Sequence, residues 1–269
     1  MTTATYDAST HAAGARRTRF YLWMAVAMSA TAFIGFAPTF WLPMAQGIPE
    51  RIVVLAIHGA LFFGWTLFVI YQAWLVGSGK VARHRDVGMI GVSLATAMTI
   101  FGVMAAIDSA RRAAALNYSA GGESFRVVPL APLSLFVVFV VAALLNIHRP
   151  EWHKRLMLSA TAVILDAAIA RPFIVYFVMG GHPPSFHGTV GLAGFNTPPP
   201  PVIGILPPEL AAQLFIVGGI VRDWRVVGKV HPAYWWAGGL ALTVHLLKIP
   251  LSDTALWHGF ARSLISLTG

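Results

Sequence analysis

The residues in this sequence best suited to chemistry are histidines. His231 and His245 stand 14 residues apart, about 21 Å along a helix and nearly on one face. That spacing lets a single helix supply ligands to two stacked haems. His58, Trp65 and Gln72 follow at seven-residue steps and form one slowly drifting stripe on a helix. His84, His153 and His231 each close a short basic turn: Gly79-Lys80-Val81-Ala82-Arg83-His84, His148-Arg149-Pro150-Glu151-Trp152-His153 and Gly228-Lys229-Val230-His231. A helix N-terminus disfavours imidazolium, and neutral imidazole is the form that binds metal. Two layers are therefore expected, an outer one of His58 with His245 and an inner one drawn from His84, His153 and His231. Paired imidazoles would hold a low-spin haem b. Gln72 is a poor haem ligand, so an inner haem would depend on His84 or His153. Copper or zinc on His58 and His245, helped by His182 or His187, is a competing chemistry. So is no cofactor, with the histidines serving as interfacial anchors beside lysine and arginine.

Further ionisable groups fall inside apolar runs, where they are costly and point to function or pairing. Asp166 and Arg171 are five residues apart, roughly 140° around a helix, so each should face a different neighbour. Arg171 suits a haem propionate or a substrate carboxylate. Asp166 and Gln72 are candidates for a substrate or proton path. Lys248 does not read as a retinal Schiff-base lysine. It lies near a helix end, Pro250 follows, and the third span holds no aspartate. The repeated Ser93, Thr96 and Thr99 suit helix–helix hydrogen bonds. With no cysteine, thiolate metal sites and disulfides are excluded. No hydrolase triad, phosphate loop or HExxH motif is present.

These groups need helices that cross a bilayer. Of 269 residues, 57% are hydrophobic and only 11% charged, against about 25% charged in soluble domains. Seven runs approach the roughly 20 residues needed to span hydrocarbon: 20–42, 52–76, 87–107, 127–147, 156–179, 205–221 and 233–251. The expected fold is all-α, a polytopic bundle of seven transmembrane helices over 20–251. A disordered cytoplasmic tail over 1–19 and an outer tail over 252–269 flank it. Of 19 lysines and arginines, 12 fall on the side of 16–19, 80–85, 149–155 and 222–229. That bias places the N-terminus inside and the C-terminus outside. The uncharged, proline-rich segment 180–204 reads as a stiff outer connector. The net charge of +9 is spent on topology, and no basic face with interleaved aromatics suggests nucleic acid.

From His58-Gly59-Ala60 through Gln72 to His84-Arg85, and again at His153-Lys154-Arg155-Leu156-Met157, the chain resembles a group of uncharacterised bacterial multi-span membrane proteins. The pattern is also similar to small cytochrome-oxidase assembly membrane proteins and, more distantly, to ferric-reductase-like cytochrome b domains. The resemblance covers about half of the chain, from the second span to the fifth. It implies a multi-pass protein of the bacterial inner membrane and raises haem or copper chemistry.

Three functions are expected in order: a haem- or metal-binding protein of electron transfer or respiratory-cofactor assembly, a small-molecule transporter, and a non-catalytic subunit of a membrane complex. The expected partners are the lipid bilayer, other membrane subunits or a quinone.

Overall fold

The computed structural model describes residues 3–48, 52–115, 117, 119–178 and 199–266. Of these 89% are helical and none is in a strand. The helices are α1 (Thr3–Gly35), α2 (Leu42–Ala45), α3 (Val53–Gly77), α4 (Val81–Ala115), α5 (Ser119–Phe125), α6 (Val127–Leu145), α7 (Pro150–Val163), α8 (Asp166–Phe173), α9 (Leu206–Val227), α10 (Pro232–Ser252) and α11 (Ala255–Ser266). Five stretches are long and apolar enough to cross a membrane: Val53–Gly77, Val81–Ala115, Gly121–Leu145, Pro150–Tyr176 and Val202–Val227. A sixth is the pair Arg19–Gly35 and Ala37–Ala45 if it acts as one span bent by 42°. The chain is thus a helical membrane protein with five such spans, or up to six. Helix α10 has the length but is less apolar, because His245, Lys248 and Pro250 interrupt it.

Helices extend into both flanking stretches. Helix α1 takes in the N-terminal stretch from Thr3, where alanines at 4, 8, 12, 13 and 15 favour helix. The C-terminal stretch forms α11, docked on α5. Arg262 pairs with Glu123 at 3.0 Å, and Trp257 Nε1 donates to the Glu123 carbonyl at 2.9 Å.

Helix α7 is the hub, packed by α1, α6, α9 and α10. From Leu158 to Val163 all its residues are buried, and their small size lets neighbours approach. One core surrounds Trp65, Met98, Phe136 and Phe139. The Trp65 indole N–H donates to Thr161 Oγ1 at 3.2 Å. The turns 78–80, 146–149 and 228–231 gather at one end. His84 there meets His153, and Trp152 meets His231. This basic end also holds the start of the bent first span, where Lys154 lies over the Tyr21 ring.

Two spans are interrupted. The first stops at Gly35 and continues as a π-helix over Ala37–Trp41, where Pro38 lacks an N–H. The fifth stops at Val163, turns at Ile164–Leu165, restarts at Asp166 and passes through Pro172 into a second π-helix, Ile174–Val178. The two interruptions touch. A Cβ on Gly35 would lie 2.2 Å from the Ala168 carbonyl oxygen, and backbone cannot swing aside. Gly35→Ala is therefore expected to cost about 1–3 kcal/mol through overpacking, read as a lower melting temperature in detergent. An unchanged melting temperature would mean that the two breaks do not bear on each other.

Candidate functional site

Beside these breaks lies a dry polar cluster built by α8, α9 and α10. Helix α9 brings Glu209 and, one turn on, Gln213. Helix α10 brings His245 and, one turn on, Lys248. The antiparallel α9–α10 hairpin sets the two pairs against each other. Glu209 is 0% exposed, His245 1%, Lys248 2% and Asp166 4%. Lys248 Nζ donates to Glu209 Oε1. Gln213 Nε2 lies 3.0 Å from His245 Nε2. An amide nitrogen only donates, so His245 Nε2 accepts and the ring proton sits on Nδ1. That Nδ1 is 3.3 Å from Glu209 Oε2. Glu209 thus stands between a lysine and a histidine. Asp166 lies within electrostatic reach of Glu209, Lys248 and Arg171. Its Oδ1 accepts from the Ala167 N–H at 2.7 Å, and no cation among the described residues pairs with it directly.

Arg171 continues the cluster towards α1 and α3. Its guanidinium stacks on the Phe36 ring, 3.9 Å from the centroid, and its Nε is enclosed without a hydrogen-bond partner. His58 is within electrostatic reach of Arg171, rests on Phe62 with ring centroids 4.2 Å apart, and has an enclosed, unpartnered Nδ1. By helical rise, Asp166, Glu209 and Lys248 stand roughly 24, 27 and 24 Å from the basic ends of their helices, and His58 about 28 Å. These groups share one layer.

Several expected pairings are not formed. His58 does not meet His245: α3 packs on α1 and α4, α10 on α6, α7 and α9, and both His245 nitrogens face Gln213 and Glu209. At the basic end His84 and His153 do meet, with ring centroids 6.3 Å apart. His231 stands apart from them on Trp152, at 5.2 Å. Its Nδ1 accepts from the Ala233 N–H at 3.2 Å and so caps α10. Burial, and Arg155 nearby, push this imidazole below its ordinary pKa. The two stacked bis-histidine layers that a pair of haems requires are therefore absent among the described residues. No group of three or more histidine, aspartate or glutamate side chains there is placed to hold a metal ion. His182 and His187 lie outside the described residues.

The basic end is clamped by a second charged network. Arg155 grips Asp223 through Nε at 2.7 Å and Nη2 at 2.8 Å. Arg222 reaches Asp223 at 2.9 Å, and Glu151 pairs with both Lys154 and Arg155. On the opposite face a cavity of about 310 Å³ is lined by Ser124, Pro200, Val202, Ile249, Ser252 and Asp253. None of the cluster residues lines it.

Sequence reasoning named Asp166, Arg171, His58 and His245 but missed Glu209 and Gln213. Glu209 stands in the first turn of α9 behind Pro207 and Pro208, where an acid is ordinary at a helix start. The available signal was the i, i+4 pair on α9 facing the i, i+3 pair on α10. Comparison with protein-family models, curated proteins and solved structures returns no match.

Proposed function

We propose that the protein is a small-molecule transporter whose working centre is the layer formed by His58, Arg171, Asp166, Glu209, Lys248 and His245. The observation that carries this reading is that two interrupted spans cross at their breaks, Gly35 against Ala168, beside charged groups sealed inside the bundle. Broken helices that enclose charged groups inside a bundle are where transporters place substrate and coupling-ion sites. Arg171 supplies an anion-binding group whose Nε has no hydrogen-bond partner among the described residues. The class of solute it suits is a small carboxylate. Asp166, without a paired cation, is the group that takes up and releases a proton.

In this reading α10 is the seventh span, and the basic end faces the cytoplasm under the positive-inside bias. The C-terminus is then outside, and the membrane is the bacterial inner membrane that the resemblance implies.

The check is a panel of mono- and dicarboxylates (acetate, lactate, succinate, citrate, benzoate) added to detergent-purified protein. One or more should raise the melting temperature of the wild type and leave Arg171→Gln and Asp166→Asn unmoved. The same compound, radiolabelled, should enter proteoliposomes faster than empty vesicles. If none stabilises the protein and uptake matches empty vesicles, the reading fails.

A further inference from the structure

At the basic end, some distance from the charged layer, two histidine rings meet beside a glutamine, and polar atoms there have their bonding capacity unspent. His153 Nδ1 lies 2.9 Å from the Ala143 carbonyl. A carbonyl only accepts, so Nδ1 carries the proton, and in the neutral ring the lone pair sits on Nε2. A backbone carbonyl holding Nδ1–H is how metal-ligating histidines are oriented. His84 is 6.3 Å away, centroid to centroid, with its ring turned 84°. Its Nδ1 is enclosed and bonds nothing. Gln72, whose main-chain carbonyl lies against the His84 ring, has both amide atoms enclosed and unpartnered.

Three enclosed polar atoms left without bonds are costly, each by about the desolvation of a polar group. An aromatic contact between two histidines explains the T-shaped rings but leaves these atoms unsatisfied. A cation held by His84 Nδ1 and the Gln72 amide oxygen removes the cost for two of them; the amide NH2 is a donor and takes no part. With metal–nitrogen distances of about 2 Å, two imidazoles on one ion have centroids about 5 Å apart at a tetrahedral angle and about 6.3 Å apart in line, so the observed separation matches a near-linear pair, with the amide oxygen as a third, weaker contact. The three side chains arrive from separate elements: the C-terminal end of α3, the first turn of α4 and the first turn of α7.

We propose that His84, His153 and the Gln72 amide oxygen form a binding site for a single copper ion. Nitrogen donors with a neutral oxygen suit copper or zinc over magnesium or calcium. The donor set carries no charge, and Arg83, Arg85 and Arg149 stand close by in the sequence. A monovalent ion suffers least from those cations, so copper(I) is favoured over zinc(II).

The experiment uses full-length protein without a histidine tag, in detergent. Samples are loaded separately with copper(I) under reductant and with zinc(II), desalted and analysed for metal. Copper at about one per chain is expected for the wild type and for His231→Ala, with less zinc retained. His84→Gln and His153→Gln should each lose the copper. Loading should also raise the melting temperature of the wild type and not of His84→Gln. The His84 ring bonds the Gln72 carbonyl, and a glutamine at 84 keeps an N–H able to do so, so His84→Gln decides the matter if His153→Gln fails to fold. A wild type that retains no copper, or copper retained equally in His84→Gln, overturns the site. Neither result bears on carboxylate uptake, so the two proposals fail separately.

Discussion

Asp223→Ala is expected to destabilise the protein by about 3–5 kcal/mol, the cost of removing one partner from a buried ion pair. The reason is what the aspartate leaves behind. Arg155, 2% exposed, loses two charge-assisted hydrogen bonds of 2.7 and 2.8 Å. Arg222, 9% exposed, loses its contact at 2.9 Å. The His231 main-chain N–H, 3.4 Å from the same carboxylate, loses its acceptor at the start of α10. Two guanidiniums then face each other among the Tyr21 and Tyr234 rings. Removal of Glu151 serves as the contrast. Its side chain is 56% exposed, and an exposed pair is worth about 0–1 kcal/mol. Unfolding of both variants, followed by thermal melting in the same detergent, should separate them widely. Equal losses would show that Asp223 is not the keystone of the basic end.

This network could be read only in part from the chain. The motif His153-Lys154-Arg155 marked a basic turn, and basic turns usually read as topology. Nothing in that stretch says that Lys154 stays near the surface while Arg155 points inward to Asp223, 68 residues away. The helices themselves were legible, because apolar runs near 20 residues admit few other structures in a bilayer. Five of the seven runs read are long and apolar enough to cross, or six with the bent first one, and two of these break. Pro38 and Pro172 were visible, but a single proline does not say whether a helix bends, turns π-helical or restarts. The histidine spacing shows the same limit. His231 and His245 do lie on one helix, but the first caps it and the second joins Glu209, so periodicity gave orientation without chemistry. His84 and His153 came together because both open helices at the same end.

The second large effect concerns Glu209 and Lys248, and here the sign of the double variant is informative. Lys248→Met leaves Glu209, 0% exposed, facing His245 without its ammonium partner. Glu209→Gln leaves Lys248, 2% exposed, as an unpaired cation in the same layer, near Asp166. Each single change should cost about 3–5 kcal/mol, since an uncompensated buried charge remains. The double variant Glu209→Gln, Lys248→Met keeps the volume and removes both charges, so it should recover most of that loss. A structural pair would leave the protein stable and fully functional after this exchange. A pair that belongs to the transport centre predicts a different outcome: stability returns, while carboxylate-driven melting shifts and uptake stay lost. The contrast rests on where the charges are held. The ion pair is sealed among α8, α9 and α10 beside two broken spans, and hydrophobic isosteres can restore its packing. They cannot restore a group able to shed or accept a proton as Asp166 changes charge. Recovery of both stability and uptake in the double variant would reduce Glu209 and Lys248 to structural mortar and leave Asp166 and Arg171 as the only working residues of the layer.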